Sequence, residues 1–360
     1  MTSRPLKVES SRDLGPQFTD NPHRMVGQDG AYSIPLSPQE SFWFFGDTLF
    51  GERTPGESLW YPGGERIGPE DMGGKHGIDR MVTNCGLILR NKTGGDGLTD
   101  LHYLLDENGE VRQILPRLED EDPDEIRIWC LHGIKIEGKL YFYWIKVTML
   151  AEGPMPVNFA VNGSGLAIAS EEDWKFERVR HQGKSILWGE EDPKFGTAVL
   201  LHEGMVYVYG VKHDARGVQC AHVARVSKDR LGDFEAYEYL ASEGPKWSPH
   251  VRDSSPVLTG PPNEMSISFN PYLGCFLVVH SNDLSGDIVG RTAPNPWGPW
   301  SDPVVLWTVR PEYQNPPPYP PLIYAGKEHP EIAGEGGKVL YLTYIEFEEY
   351  FPHLVEVTLA

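Results

Sequence analysis

FGTAVLLHEGMVYVYG, residues 195–210, decides how the rest of the chain is read. Two runs rich in β-branched and aromatic residues flank His202-Glu203-Gly204, a segment with turn chemistry, so the stretch predicts a β-hairpin. Working outward, the same shape returns four times. It is found at 130–144 (CLHGIKIEGKLYFYW, turning at Glu137-Gly138) and at 265–280 (MSISFNPYLGCFLVVH, turning at Tyr272-Leu273-Gly274). It is found again at 329–344 (HPEIAGEGGKVLYLTY, turning near Gly336-Gly337) and at 29–47 (DGAYSIPLSPQESFWFFGD, turning near Pro38-Gln39). The second strands of these hairpins begin near residues 42, 140, 206, 276 and 339, and the last three intervals are 66, 70 and 63 residues.

Each hairpin is followed by a third strand: NCGLILRN (84–91), SGLAIAS (164–170), GVQCAHVARV (217–226), GDIVGRTA (286–293) and HLVEVTL (353–359). Four are followed by an outer strand: VRQILP (111–116), WKFERV (174–179), FEAYEYL (234–240) and PVVLWTV (303–309). The last unit runs out with three strands, and residues Leu6 to Ser10 can supply its fourth. That closure would remove an open sheet edge. The expectation is an all-β chain: a five-bladed β-propeller of four-stranded antiparallel blades, closed by the N-terminal strand joining the last blade. A large sandwich or jelly roll is the alternative, but such folds carry no repeat of this period. We take residues 1–360 as one propeller domain, with Gly51–Arg80 as a long rim loop of the first blade and the Pro-rich 314–321 as a crossing between blades.

Composition agrees. Gly 39 and Pro 31 are spread along the chain, as many short strands joined by turns require. The net charge of -20 repels a continuous polyanion, so nucleic acid is not an expected partner. The cysteines Cys85, Cys130, Cys220 and Cys275 sit in apolar runs without metal spacing and read as buried thiols. No charged-then-apolar leader and no long apolar run occur, so no membrane span is expected and the cytoplasm is the expected location, or the outside if a leader had been trimmed. A monomer or weak oligomer is expected.

In a propeller the first strand of each blade lines the central channel. Its polar residues are therefore the candidates: Asp29 in blade one, His132 in blade two, Asp192 with Lys194 in blade three, Glu264 with Ser266 in blade four, and His329 with Glu331 in blade five. Asp47 closes the second strand of blade one and belongs to the same hairpin as Asp29, so the two can face each other. A carboxyl pair across a glycosidic bond can supply the acid and the base or nucleophile of glycoside hydrolysis. Two carboxyls at close range also push their pKa values apart. The same residues have plainer readings: Asp-Gly and Gly-Asp-Thr make ordinary turns, and His132 fits a satisfied core histidine. Trp60, Trp129 and Trp188 fall near strand starts or rim loops where a sugar face could stack, although packing is the commoner use. Motifs for a nucleophilic serine, a zinc protease, a dinucleotide or a P-loop are absent. No cofactor is expected, and a structural Ca²⁺ among channel carboxylates is left open.

GQDGAYS, FWFFGDTLFG, MVTNCGLIL, FGTAVLLHEGMVYVYG, MSISFNPYLGCFLVVHSND, IVGRTAPNPWGPWS, VLYLTY and LVEVTL together resemble the domain-of-unknown-function 4185 proteins. Part of that group is glycoside hydrolase family 183, endo-acting D-arabinanases that cut mycobacterial arabinan. The resemblance spans about residues 27–359 and implies a five-bladed propeller. It implies a catalytic pair matching Asp29 and Asp47, which lie 18 residues apart. The expected function is thus cleavage of a furanoside or other oligo- or polysaccharide. His132, Asp192, Lys194, Glu264, His329, Glu331, Trp129 and Trp188 would bind the sugar or tune the pair. A non-catalytic glycan-binding propeller is a rival reading. So is a glycoside phosphorylase or lyase, for which Lys194, Arg252 and Arg291 would have to gather around phosphate.

Overall fold

The computed structural model describes residues 4–54, 57–60, 77–91, 93–150, 158–242, 245–283, 285–312 and 320–360. An N-terminal strand β1 (Val8–Pro16) precedes the first blade, which comprises β2 (Met25–Ser37), β3 (Glu40–Gly51), β4 (Ile78–Val82), β5 (Cys85–Leu89) and β6 (Leu101–Tyr103). The second blade holds β7 (Ile126–Ile136), β8 (Lys139–Met149), β9 (Phe159–Ser170) and β10 (Glu177–Arg178). The third holds β11 (Lys194–His202), β12 (Met205–His213), β13 (Gln219–Ser227), β14 (Glu238–Ser242), β15 (Lys246–Ser248) and β16 (Pro256–Thr259). The fourth holds β17 (Met265–Asn270), β18 (Cys275–Ser281), β19 (Asp287–Ala293) and β20 (Val304–Thr308). The fifth holds β21 (Ile323–Glu328), β22 (Val339–Glu346) and β23 (Pro352–Leu359). These five antiparallel sheets are the blades of a five-bladed β-propeller, and β1 pairs with β23 to complete the fifth.

The hairpin turns follow from their residues. Glu203 (φ 49°) with Gly204 (φ 77°), and Glu137 (φ 51°) with Gly138 (φ 79°), each place two successive residues in the left-handed region. That geometry matches the twist of the flanking strands and is cheapest with glycine second. The strand FWFF is buried on both faces, so it reads as a continuous apolar run rather than an alternating one. Its Trp43 and Phe45 pack with Leu87, Leu89, Tyr341 and Leu354.

The described chain forms two compact units. The first contains blades one, four and five; the second contains blades two and three. In the first unit, a second core joins Leu277, Val279 and Ile288 to Leu340, Leu342, Val355 and Val357. In the second unit, Trp188, Tyr143, Phe195 and Tyr237 centre the core.

Three expectations need correction. The outer strand of blade one is β6, pairing with β5, whereas 111–116 contributes only an isolated bridge of Val111 to Leu105. The first strand of blade five is β21, not 329–333. Pro330 cannot donate to a ladder, and 330–332 forms a 3-10 turn instead. The rim loop is shorter than 51–80, since Gly51 ends β3 and β4 pairs back onto it; residues 61–76 lie outside the described residues. Residues 313–319 of the Pro-rich crossing also lie outside them.

Candidate active site

Asp29 and Asp47 are brought together by a β-bulge. Gln28 pairs with Thr48 and Gly30 pairs with Phe45, so one residue of β2, Asp29, faces two of β3, Gly46 and Asp47. A bulge re-aims side chains in this way. A Cβ at Gly46 would lie 3.6 Å from Asp29 Cβ, so the missing side chain leaves room for the carboxyl. Gly30 has φ +76° and faces Glu264 of the fourth blade, whose Oε1 lies 3.7 Å from where a Cβ would stand. Any L side chain there would be strained by the backbone, and its Cβ would stand in van der Waals contact with Glu264.

The fifth blade adds two residues. Tyr324 pairs with Ile345 and Lys327 with Thr343, so Ala325 and Gly326 together oppose a single residue of β22. Ala325 takes a left-handed φ of 59° to make this bulge. In a regular strand, residues three apart face opposite sides; the extra residue turns Tyr324 and Lys327 to the same side. The Tyr324 hydroxyl donates to Asp29 Oδ1 at 2.6 Å, beside the Gly30 N–H at 2.8 Å on the same oxygen. Lys327 is 1 % exposed, and its Nζ donates to Glu264 Oε1 at 3.0 Å and to the Ala325 carbonyl at 2.8 Å. The ammonium also sits 4.6 Å from the centroid of the Tyr32 ring.

Electrostatics single out Asp29. Burial pushes its carboxyl up to about 7, and the charges of Glu264 and then Asp47 push in the same direction. Hydrogen bonds from Tyr324 and Gly30 favour the carboxylate and oppose that shift. The result is a carboxyl that holds its proton near neutrality beside two other carboxyl groups.

Deeper in the first unit, His329 is a structural histidine. Its Nδ1 meets Ser33 Oγ at 2.6 Å, its Nε2 meets Thr343 Oγ1 at 2.7 Å, and its ring stacks on Trp43 at 4.2 Å. Glu331 lies 3.9 Å from His329 Nδ1, and burial pushes its carboxyl up to about 7. Glu328 is likewise pushed up to about 7 by burial, and its carboxylate accepts from Ser268 at 2.8 Å. Ser266 Oγ accepts the Glu328 N–H at 2.7 Å.

The remaining candidates belong to the second unit, where each is engaged locally. His132 Nδ1 accepts the Val199 N–H at 3.0 Å. Asp192 Oδ2 accepts the Gly189 N–H at 2.9 Å, an ordinary turn cap. Lys194 donates to the carbonyls of Glu190 and Asp192 at 2.7 and 2.6 Å. Trp129 packs edge-on against Phe159. Trp188 corrects its assignment as a sugar platform. It is 0 % exposed, donates to the Tyr239 hydroxyl at 2.9 Å, and packs against Phe195, Phe234 and Tyr237. Its flanking Gly189 and charged residues mark a turn, but the indole itself points into the core.

The residues that sequence reasoning missed are Tyr324, Lys327 and Glu328. All follow from the misplaced first strand of blade five. A signal was present: IYAGKE (323–328) is the β-compatible run just before the proline that disqualifies 329–333.

Comparison with known proteins gives the following. The family model DUF4185, described as a domain of unknown function, matches residues 15–356. No protein of curated function matches the chain. A solved structure from Bacteroides ovatus ATCC 8483, whose name assigns it provisionally to the hydrolases, is similar at 17% identity and a TM-score of 0.60, covering 96% of this chain and 87% of that one. That likeness shows the shared fold. Zg3597, a family 117 glycoside hydrolase of Zobellia galactanivorans, is similar at 8% identity and a TM-score of 0.49, with 97% and 90% covered. The GH43_1 enzyme of Xanthomonas citri is similar at 13% identity and a TM-score of 0.48, with 97% and 91% covered. Among the described residues no helix is long and apolar enough to cross a membrane.

Proposed function

The chain belongs to the DUF4185 family, and on that premise we propose that it is a glycoside hydrolase, cleaving a furanoside or other oligo- or polysaccharide, with arabinan-type glycans as the first substrates to test. The observation that carries this reading is the carboxyl cluster of Asp29, Asp47 and Glu264, in which Asp29 keeps its proton up to about 7. A protonated carboxyl beside an ionised one is the arrangement that glycosidic cleavage needs.

In the proposed reaction Asp29 gives its proton to the glycosidic oxygen as the bond to the anomeric carbon breaks. Asp47, in the same bulge, takes a proton from the attacking water or attacks the anomeric carbon itself, so the two aspartates divide the acid role from the base or nucleophile role. Glu264 acts on the pair through its charge, which keeps the proton on Asp29. Lys327 holds Glu264 in place through an ion pair at 3.0 Å. These steps use side chains and water, and no cofactor is proposed.

The test is incubation of the purified protein with a panel of polysaccharides that includes arabinogalactan and arabinan, followed by chromatography of the products. Oligosaccharide release is expected, with a loss of roughly 10²-fold or more in Asp29→Asn and in Asp47→Asn while circular dichroism is unchanged. Near wild-type release in both variants overturns the assignment. Binding without release would favour the glycan-binding reading, and release only with added phosphate the phosphorylase.

A further inference from the structure

β3 loses its regular ladder on both edges at the same two residues. Toward β2, Gln28 pairs with Thr48 and Gly30 with Phe45, which leaves Asp29 facing Gly46 and Asp47. On the other edge, Phe45 pairs with Cys85 of β5 and Thr48 with Val82 of β4. Gly46 and Asp47 therefore stand opposite Thr83 and Asn84, which belong to neither strand. The carboxyl pair sits where the sheet supplies least of its own backbone pairing, so side chains have to fix the geometry there.

A chain of buried polar side chains runs beside that gap. Gln28, Thr48 and Cys85 are each 0 % exposed, and Cys85 belongs to the same apolar core as Phe45, Val82 and Leu87. Thr48 Oγ1 donates to the Gly46 carbonyl at 3.1 Å, a bond that spans Asp47. Thr48 has one hydroxyl hydrogen, and that bond uses it. In the 3.2 Å contact between Thr48 Oγ1 and Cys85 Sγ the thiol is then the donor. The sulfur in turn accepts from Gln28 Nε2 at 3.3 Å. Gln28 Oε1 accepts the Tyr103 hydroxyl at 3.3 Å, with Met25 Sδ at 3.6 Å as the weaker alternative acceptor. The bonds thus run one way, from Tyr103 through Gln28, Cys85 and Thr48 to the Gly46 carbonyl. Burial pushes the Cys85 thiol up to about 11, so the hydrogen it donates stays in place. The Gln28 backbone is anchored separately, its N–H donating to the Tyr350 carbonyl at 2.5 Å.

We propose that Cys85 is a positioning residue for the carboxyl pair: by donating to Thr48 and accepting from Gln28 it ties β5 to both strands of the bulge and fixes where Asp29 and Asp47 stand. A free cysteine in a core ordinarily acts as a small apolar filler. The two roles make opposite predictions, because serine can donate to Thr48 and accept from Gln28, whereas alanine can do neither. This rests on the reading of the two aspartates as the acting pair, but the positioning can be measured without substrate. A loosened bulge lets like charges move apart and admits water to Asp29, and both effects lower its midpoint.

The experiment is a ¹³C NMR titration of the Asp29 carboxyl in the full chain, assigned by its loss in Asp29→Asn. Cys85→Ser is expected to leave the midpoint within about 0.3 pH unit of the parent, and Cys85→Ala to lower it by about one unit. The opposite order, with the alanine variant unchanged and the serine variant shifted, overturns the proposal, because an apolar filler would then suffice. Equal midpoints in the two variants overturn it as well. If Cys85→Ala does not fold, Thr48 takes its place: Thr48→Ser keeps the hydroxyl, and Thr48→Val removes it at nearly constant volume. A midpoint lowered in Thr48→Val alone supports the brace, and no difference between the two sinks it. Absence of glycan cleavage would bear on the hydrolase assignment alone, since these titrations contain no glycan.

Discussion

At Asp29, two opposing influences can be separated by substitution. Glu264 pushes its carboxyl up and the Tyr324 hydroxyl pulls it down. Glu264→Gln is therefore expected to lower the alkaline limb of the pH–activity profile, and Tyr324→Phe to raise it, each by about one unit. A common direction for both variants would mean that the limb belongs to another group. Asp29 and Asp47 were offered as candidates by the sequence because each stands in a short polar break between apolar runs, DG and FGDT. Lys327 and Tyr324 were not. They lie three apart, and alternation assigns them to opposite faces; only the bulge at Ala325-Gly326 reverses this. Trp188 failed for the converse reason: sequence shows that an indole is near a turn, but not which way its ring swings.

Among the elements, the hairpin turns offer the cleanest contrast. A Cβ at Gly204 would meet nothing within 4 Å, so Gly204→Ala should cost only the backbone strain, about 1 kcal/mol by chemical denaturation, with activity retained. Gly30 shares the left-handed φ but borders Glu264. Gly30→Ala is expected to cost a similar amount of stability and to lose activity as well, and equal activity in the two variants would detach Gly30 from the site. The second strands begin at 40, 139, 205, 275 and 339, close to where the aromatic runs placed them, because turn chemistry and apolar density coincide there. Outer strands were harder. β6 is three residues long and β10 two, too short to carry a pattern, and their pairing is decided by the sheet they dock on.

For the molecule as a whole, the buried carboxyls set an unusual pH response. Asp29, Glu328 and Glu331 hold protons up to about 7 in the folded chain, whereas unfolded carboxyls release theirs near 4. Between these values the folded state binds more protons at these three groups, so their contribution to stability is full below about pH 4 and declines as pH rises toward 7. Each group contributes at most about 1.4 kcal/mol per pH unit across that window. His353, held between Asp13 and Glu349 and raised to about 9, extends the decline above neutrality. A melting temperature higher at pH 5 than at pH 8 is expected; the reverse order would place ionised carboxylates in the folded interior. The repeat period made the five blades legible, and so did the missing strand of the last one, since a sheet edge left open demands a partner.

That partner is β1, whose pairing with β23 runs from Val8 opposite Leu359 to Pro16 opposite His353. A strand made before all five blades is thus completed by the last strand of the fifth. During elongation β1 must wait with its ladder groups unclaimed while every intervening blade is made, so the fifth blade cannot be sealed before residues 352–359 have been made. A ribosome stalled short of residue 352 would hold a chain whose other sheets are present and whose seam is open. Its N-terminal segment should then be cut by protease far faster than in the released protein.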